Sequence, residues 1–400
     1  MVRGVSPPPA KRRRVPSSKP TALTTTPSTA LRPCDPSSLR LISWNVNGIA
    51  PFLQKSITSY FQKSDKSSLQ GGVPPASLRA FLQRHGWPSL LFLQEVKIAS
   101  IDIKTQDAVK AAANERTASE RSSASNQGPK YDVYFTLPTD RYNARGLGGS
   151  GKVYGVASII RSDVLPKFKF DELRARTVEW DSEGRVNIIE MTSPTLNLAL
   201  FNIYAVNGTD NLYRNSTTGA IAGTRHDRKL AFHRLLRDEC ASLERDGWRV
   251  VLAGDFNVAP DERDGHPKLR TFPAQHVLNR ADFLEKFFGK RREARRDITD
   301  LATASEWRGF DIWRETHGDQ RGYTYYSRGR EWGTSCDRVD YVIAGRSTWE
   351  DGRIASCGIL ESEAERGPSD HCPVWADIKI GMLEKQDNVS TNFENEHSTG

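Results

Sequence analysis

Short apolar runs, rich in β-branched residues, recur along this chain and constrain its fold more than any other feature. They are Leu39 to Trp44, Leu90 to Leu93, Val153 to Ile160, Val186 to Met191, Leu196 to Val206, Val250 to Ala253, Val339 to Ala344 and Val374 to Ile380. Their length and composition predict strands. None approaches the roughly 20 residues that a membrane-spanning helix needs, so no membrane association is expected. Helical patterns lie between some of the runs. Phe232, Leu236, Cys240 and Leu243 form an apolar stripe in 225–246, and 76–86 reads as a second helix. This mixture predicts an α/β (α+β) fold in which helices cover mostly antiparallel sheets, without a regular βαβ repeat.

The ends of the chain read differently. Residues 1–37 are rich in Pro, Ser, Thr and basic residues and lack apolar periodicity, which predicts a disordered basic tail. Residues 382–400 are polar and read as a second disordered tail, leaving 38–381 as the folded domain. The net charge of +8 belongs to the first tail. Residues 1–40 hold eight Lys/Arg against one acid, whereas the remaining 360 hold 49 basic and 48 acidic groups. A nucleic-acid surface on the folded part must therefore be a local patch. Lys11-Arg12-Arg13-Arg14 sits between prolines, and a nuclear import signal is one reading of it. The first 30 residues hold no apolar segment of the kind a secretory signal needs, and the five cysteines are scattered. Reduced thiols in the nucleus or cytosol are expected, with the nucleus favoured.

Three further segments stand out. Arg141 to Gly151 holds four glycines, but no Gly-Lys-Ser/Thr follows, so a nucleotide-binding P-loop is not supported. Lys286 to Arg296 is the one dense basic stretch of the folded part, open to reading as a solvated helix face or a phosphate-contact surface. Residues 104–129 read as a polar helix or an inserted loop.

The chemistry lies where the apolar runs end. Ile42-Ser43-Trp44-Asn45-Val46-Asn47 closes with two amides, and Leu93-Gln94-Glu95 with a carboxylate. Ala253-Gly254-Asp255-Phe256-Asn257 adds an acid and an amide two residues apart, on one face of an extended segment. Ser369-Asp370-His371 precedes the last run. Each alone is compatible with a turn or a cap. Together they form an oxygen-rich set with one imidazole and no thiolate, which suits a hard cation such as Mg²⁺ or Mn²⁺. The imidazole beside a carboxylate can serve as acid, base or phosphate contact.

In this order the four motifs resemble those of the endonuclease/exonuclease/phosphatase superfamily, and the chain is most similar to its exonuclease III-like AP endonucleases. Glu183-Gly184-Arg185-Val186, Asn202 to Asn207 and Arg338-Val339-Asp340-Tyr341 add to that likeness. The resemblance runs from about Leu39 to Ile380. It implies a deoxyribonuclease I-like two-sheet sandwich flanked by helices, with the active site at one end. It also implies a Mg²⁺-dependent (or Mn²⁺-dependent) phosphodiesterase that cleaves DNA beside an abasic site, with 3′-end processing, in base excision repair. In that scheme Asn45, Glu95 and Asp370 hold the metal, with Asp255, Asn257 and His371 counted among its possible ligands. Asp255 activates water and Asn257 supports it. Tyr204 stabilises developing charge, and His371 contacts phosphate, oriented by Asp311.

The sequence departs from the family pattern at several points. Val206 stands where the family has proline, and Asn47 where some members have a carboxylate. Stretches 104–129 and 208–224 look inserted. Asp337 stands where some relatives place tryptophan in a pocket for the flipped-out sugar, with Tyr325 and Val339 as its apolar walls. Weaker abasic-site discrimination is therefore expected, unless Trp332 or Trp313 rebuilds the pocket. A phosphatase, an RNA nuclease, a tyrosyl-DNA phosphodiesterase, or a DNA-binding protein without activity remain alternatives, because fold cannot choose among them. A monomer is expected, and protein partners stay open.

Overall fold

Two six-stranded sheets pack face to face in the computed structural model, which describes residues 31–53, 76–122, 127–144, 154–289 and 307–381. Residues 1–30 and 382–400, with the run Lys11–Arg14, most of the glycine-rich loop and the stretch 290–296, lie outside the described residues. Residues 31–37 of the expected tail, by contrast, are described and pack on the domain, Cys34 bonding to Ser38 and Leu31 lying against the core. The first sheet runs, edge to edge, through Ile354–Ile359, Val374–Lys379, Ser38–Asn45, Leu90–Gln94, Val156–Arg161 and Tyr131–Thr136. The second runs through Gly309–Asp311, Asp340–Gly345, Arg249–Asp255, Asn197–Tyr204, Val186–Thr192 and Glu172–Arg176. Each sheet has one parallel pair at its centre, and its other pairings are antiparallel.

Alternation explains the layers. Leu39, Leu41, Leu90 and Phe92 of the first sheet meet Leu198, Leu200, Val251 and Ala253 of the second in a shared core. Side chains one residue out of step point to the opposite faces. There Ile42, Leu91 and Leu93 pack on Leu78, Phe81 and Val109, from helices Leu78–Arg84 and Ile103–Asn114. On the far side Phe201, Val250 and Leu252 pack on Phe232, Leu236, Cys240 and Leu243 of helix Arg225–Arg245. The apolar stripe read from sequence is thus the buried face of that helix. Its start is fixed by a capping box in which Thr224 and Asp227 satisfy each other's backbone N–H groups.

The two stretches that look inserted carry regular structure in their described residues. Residues 104–129 contain most of helix Ile103–Asn114 and the short helix Ala118–Ser122. Within 208–224, Leu212–Arg214 and Ile221–Thr224 form an antiparallel hairpin.

Candidate active site

The central strands of both sheets end at the same end of the sandwich, and pairing register brings their polar ends together. Asp255 lies opposite Tyr204 on its parallel neighbour and opposite Asp340 on its antiparallel neighbour. In the other sheet Asn45 lies opposite Gln94, so Glu95 follows directly beside it. Sharp turns then redirect the chain. Asn47, Glu95, Lys97 and Asn257 all adopt positive φ, between 50° and 56°, a region that non-glycine residues visit mainly at turns and functional sites. Gly254 sits at φ 152°, and a Cβ there would lie 1.9 Å from the Ile203 carbonyl oxygen. Only glycine lets the strand carry Asp255 so close to its neighbour.

Asp255 is 1% exposed and held from three directions. Its Oδ1 accepts from the Asn257 backbone N–H at 2.8 Å. Its Oδ2 accepts from Asn45 Nδ2 at 2.9 Å and from Asn257 Nδ2 at 3.2 Å. Burial pushes its carboxyl well up, against the attraction of His371, and Asp340 pushes it further. Asn257 Nδ2 also donates to the Ala205 carbonyl at 3.0 Å, so its amide is engaged within the protein.

His371 lies 4.0 Å from Asp255 through Nε2, while its Nδ1 meets Asp340 Oδ2 at 2.7 Å. Burial alone would lower the imidazole pKa, but Asp340 and then Asp255 outweigh it and hold the ring protonated well above its ordinary range. The Ser369 hydroxyl accepts from the His371 backbone N–H and the Trp44 indole N–H donates to its carbonyl, which fixes the His371 main chain.

The structure corrects one assignment here: Asp340, not Asp311, orients the imidazole. Asp311 pairs with Ile343, three residues along the same strand from Asp340, a separation of about 10 Å. It caps helix Ile312–His317 and pairs with the buried Arg338 at 2.7 Å. The Arg-Val-Asp-Tyr segment carried the signal that points to Asp340.

The remaining residues surround this centre. Glu95 Oε2 accepts from Asn45 Nδ2 at 3.3 Å, and its Oε1 lies 3.1 Å from Lys97 Nζ. Asp370 joins through Asn47, whose Nδ2 donates to Asp370 Oδ1 at 2.9 Å. Tyr204 is buried under the guanidinium of Arg185, 4.9 Å from its ring centroid. Burial, then the Glu95 charge, keeps its phenol protonated.

A hard divalent cation fits this donor set. Carboxylates converge with one imidazole, and Asp340 Oδ1 is buried with no hydrogen-bond partner among the described residues. Ligand atoms of Asp255, Asp340 and His371 lie within 4.8 Å of one another. His371, however, is bonded to Asp340 and held protonated, which suits a phosphate contact better than a metal ligand.

Asn45, Glu95, Tyr204, Asp255, Asn257, Asp370 and His371 line a cleft of about 400 Å³. Arg270, His276, Asn279 and Arg280 line it as well. Tyr325 and Val339 also line it. Asp337, at the position in question for the sugar pocket, is buried and paired with Arg270 at 2.7 Å. Neither expected substitute rebuilds an apolar wall: Trp332 stacks on Tyr326 and Trp313 on His317, and neither lines the cleft.

Lys229 escaped the sequence reading. It is fully buried on the stripe side of its helix, three residues before Phe232. Its ammonium donates to the carbonyls of Phe256 at 3.1 Å and Asn257 at 3.0 Å, bracing the turn after Asp255. Desolvation lowers its pKa to about 7, although the Asp255 charge opposes this. A lysine on an apolar stripe was the signal available.

Comparison with known proteins gives a consistent result. The family described as Endonuclease/Exonuclease/phosphatase matches residues 42–371. DNA-(apurinic or apyrimidinic site) endonuclease 2 of Schizosaccharomyces pombe is 25% identical over 376 residues, covering 85% of this chain and 58% of the relative. Its namesake from Mus musculus is 26% identical over 364 residues, covering 86% and 61%. The chain therefore spans about three fifths of the length of these curated relatives. Among solved structures, the Xenopus laevis APE2 catalytic domain aligns with a TM-score of 0.53 at 18% identity, covering 85% of this chain and 92% of that one. AP endonuclease LMAP from Leishmania major aligns with a TM-score of 0.54 at 18% identity, covering 86% and 89%. Both share the fold.

Proposed function

The chain belongs to the Endonuclease/Exonuclease/phosphatase family, and on that premise we propose that it is a Mg²⁺-dependent phosphodiester hydrolase that cleaves DNA at abasic sites. The observation that carries this reading is the buried Asp255, aligned between Tyr204 and Asp340 and pinned by two asparagines beside a protonated imidazole. The curated relatives named for apurinic or apyrimidinic sites support the choice of substrate.

Asn45, Glu95 and Asp370 would hold the metal, which when bound polarises a phosphoryl oxygen and steadies the leaving oxygen. Asp255, its carboxylate aimed by Asn45 and Asn257, takes the proton of the attacking water. The high pKa that burial gives Asp255 makes it a stronger base once it is ionised. His371, kept charged by Asp340, donates from Nε2 to a phosphate oxygen. Tyr204 donates its phenol proton as a hydrogen bond where negative charge builds.

The Asp337–Arg270 pair in the pocket wall supports weaker preference for an abasic sugar than an apolar wall would give. Nuclear localisation through Lys11–Arg14 and 3′-end processing belong to the same proposal. The decisive assay is nicking of matched duplexes, one with a single abasic site, in Mg²⁺ and in EDTA. Cleavage of the abasic duplex, silenced by EDTA, is expected. Full activity in EDTA, or none on either duplex with Mg²⁺ present, would sink the reading.

A further inference from the structure

The loop that brings Leu269 and Arg270 to the cleft also carries an exposed aromatic ring two residues on. Phe272 is 89% exposed, and among the described residues no aromatic or cation contact covers it. The loop that carries it is tied down. Arg270 Nη2 pairs with Asp337 at 2.7 Å, and its guanidinium lies 5.8 Å from the Tyr325 ring centroid. Arg280 donates to the Arg270 carbonyl at 2.8 Å and to the Ala259 carbonyl at 2.8 Å. Phe272 is therefore presented from an anchored base.

Position and charge identify what would cover the ring. Arg270 lines the cleft, and Phe272 follows two residues later, so their Cα atoms are at most about 7 Å apart. That is about two base steps of a DNA strand. The exposed cations Lys268 and Arg270 precede the ring in the same loop. An aromatic face beside cations, at the edge of a groove for phosphate chemistry, matches a platform for a nucleobase. A ring presented in this way can meet a base face only where that base is unstacked from its neighbour.

We propose that Phe272 stacks on an unpaired base next to the cleaved phosphate, so that this enzyme favours DNA whose bases are already open there, such as frayed ends and single-stranded flanks. The proposal rests on the DNA reading above. It also gives Asp337 a purpose: its carboxylate anchors the platform through Arg270.

The test compares the full chain with Phe272→Ala and Phe272→Trp. The probes are an abasic duplex with 2-aminopurine in a paired position beside the cleavage point and the same duplex with that base unpaired. Affinity is read in EDTA, and 2-aminopurine fluorescence reports stacking. Hydrolysis of bis(p-nitrophenyl) phosphate, which has no base, reports the catalytic centre alone. Phe272→Ala is expected to weaken binding of the unpaired probe by about 5- to 100-fold, the range for one base–aromatic stack. The paired probe should change less, the small ester not at all, and Phe272→Trp should restore quenching. Equal losses on both DNA probes, or binding of the unpaired probe within twofold of wild type, would overturn the proposal. So would a loss of self-association in Phe272→Ala with DNA binding unchanged, because that assigns the ring to a protein contact. If the wild type neither binds nor cleaves DNA, the DNA reading fails first and this proposal falls with it. Cleavage by the wild type with no Phe272 effect removes this proposal alone.

Discussion

Two acidic clusters sit on either side of one short segment and are built in opposite ways. Arg338 serves the first, where Asp264 and Asp311 bind its guanidinium at 2.6 and 2.7 Å and Arg314 adds a second cation to Asp264 at 2.7 Å. Asp340, two residues on, serves the second, where Asp255 and Asp340 share a single imidazole. Both clusters are buried. The first has one guanidinium for each carboxylate. The second is short of positive charge, and one oxygen of Asp340 has no partner among the described residues. Burying an acid without matching it costs stability, and folds keep such a deficit where chemistry uses it. A site that must accept a cation and a phosphate needs this imbalance.

The comparison breaks most sharply at Asp255. Asp255→Asn keeps the shape and removes the base, so turnover should fall by about 10²–10⁴-fold. Stability should move the other way. A carboxyl whose folded pKa lies above its unfolded value stabilises the fold only while protonated, and that contribution is lost as pH rises. At pH 8 the variant should therefore melt a few degrees higher than wild type. Activity within a few-fold of wild type, or a lower melting temperature, would contradict the assignment.

Next come the paired substitutions across the segment. Asp340→Asn should cost about 10²-fold or more in turnover, because His371 loses the group that aims and charges it. Its effect on denaturant stability should be small. Asp311→Asn should do the reverse, destabilising the fold by about 3–5 kcal/mol through a broken buried pair. Turnover per folded molecule should stay within a few-fold. If Asp311→Asn proves the inactive, stable variant, the roles of the two clusters have been exchanged.

This pair of aspartates also marks how far sequence reading reached. The apolar runs predicted the central strands because those are buried on both faces, where alternation is not needed to recognise them. Their polar ends pointed to Asn45, Glu95, Asp255, Asn257, Asp370 and His371, which the structure gathers at one end of the sandwich. Strand register is not legible in a run of residues, and register decides that Asp340, not Asp311, lies beside Asp255. Glu172–Arg176 was missed for another reason. It is an edge strand of mixed polarity, held by Arg176 pairing with Glu190 and Glu239, and carries no apolar run. Arg270 pairing with Asp337 lay beyond sequence as well, because it joins a loop to a strand 67 positions away.

A third buried acid shows what full compensation does to a pKa. Glu183 is fully buried, yet Arg185, Arg225 and Arg228 overcome its desolvation and hold its carboxyl down at about 2, below its ordinary 4.5. A depressed folded pKa means stability that is present above 4.5 and lost as pH falls from there toward 2. Unfolding free energy should decline through this window in wild type. Glu183→Gln should flatten the decline and lower stability at neutral pH. An unchanged acid slope in denaturant titrations would show that Glu183 is not the group responsible.

The smallest effect is expected at Asn47, where a neutral amide stands between two acids. Its Nδ2 donates to Asp370 Oδ1 at 2.9 Å, and Lys97 bonds its side-chain and backbone oxygens while lying 3.1 Å from Glu95. Lys97 thus supplies part of the positive charge that Glu95 needs before any metal arrives. Asn47→Asp adds a carboxylate to this neighbourhood and removes the hydrogen bond to Asp370. Without metal, losing that bond should cost about 0.5–1.5 kcal/mol of stability. With metal, one more anionic oxygen should tighten a hard-cation site. The gain should be only a few-fold in half-saturating Mg²⁺, because the new carboxylate also strengthens the hold of Lys97, which competes with the cation for the same oxygens. Mg²⁺ titration by calorimetry, beside melting curves in EDTA, reads both arms. A Mg²⁺ midpoint that does not move while EDTA stability falls would place the cation away from the Asn47 side of Glu95.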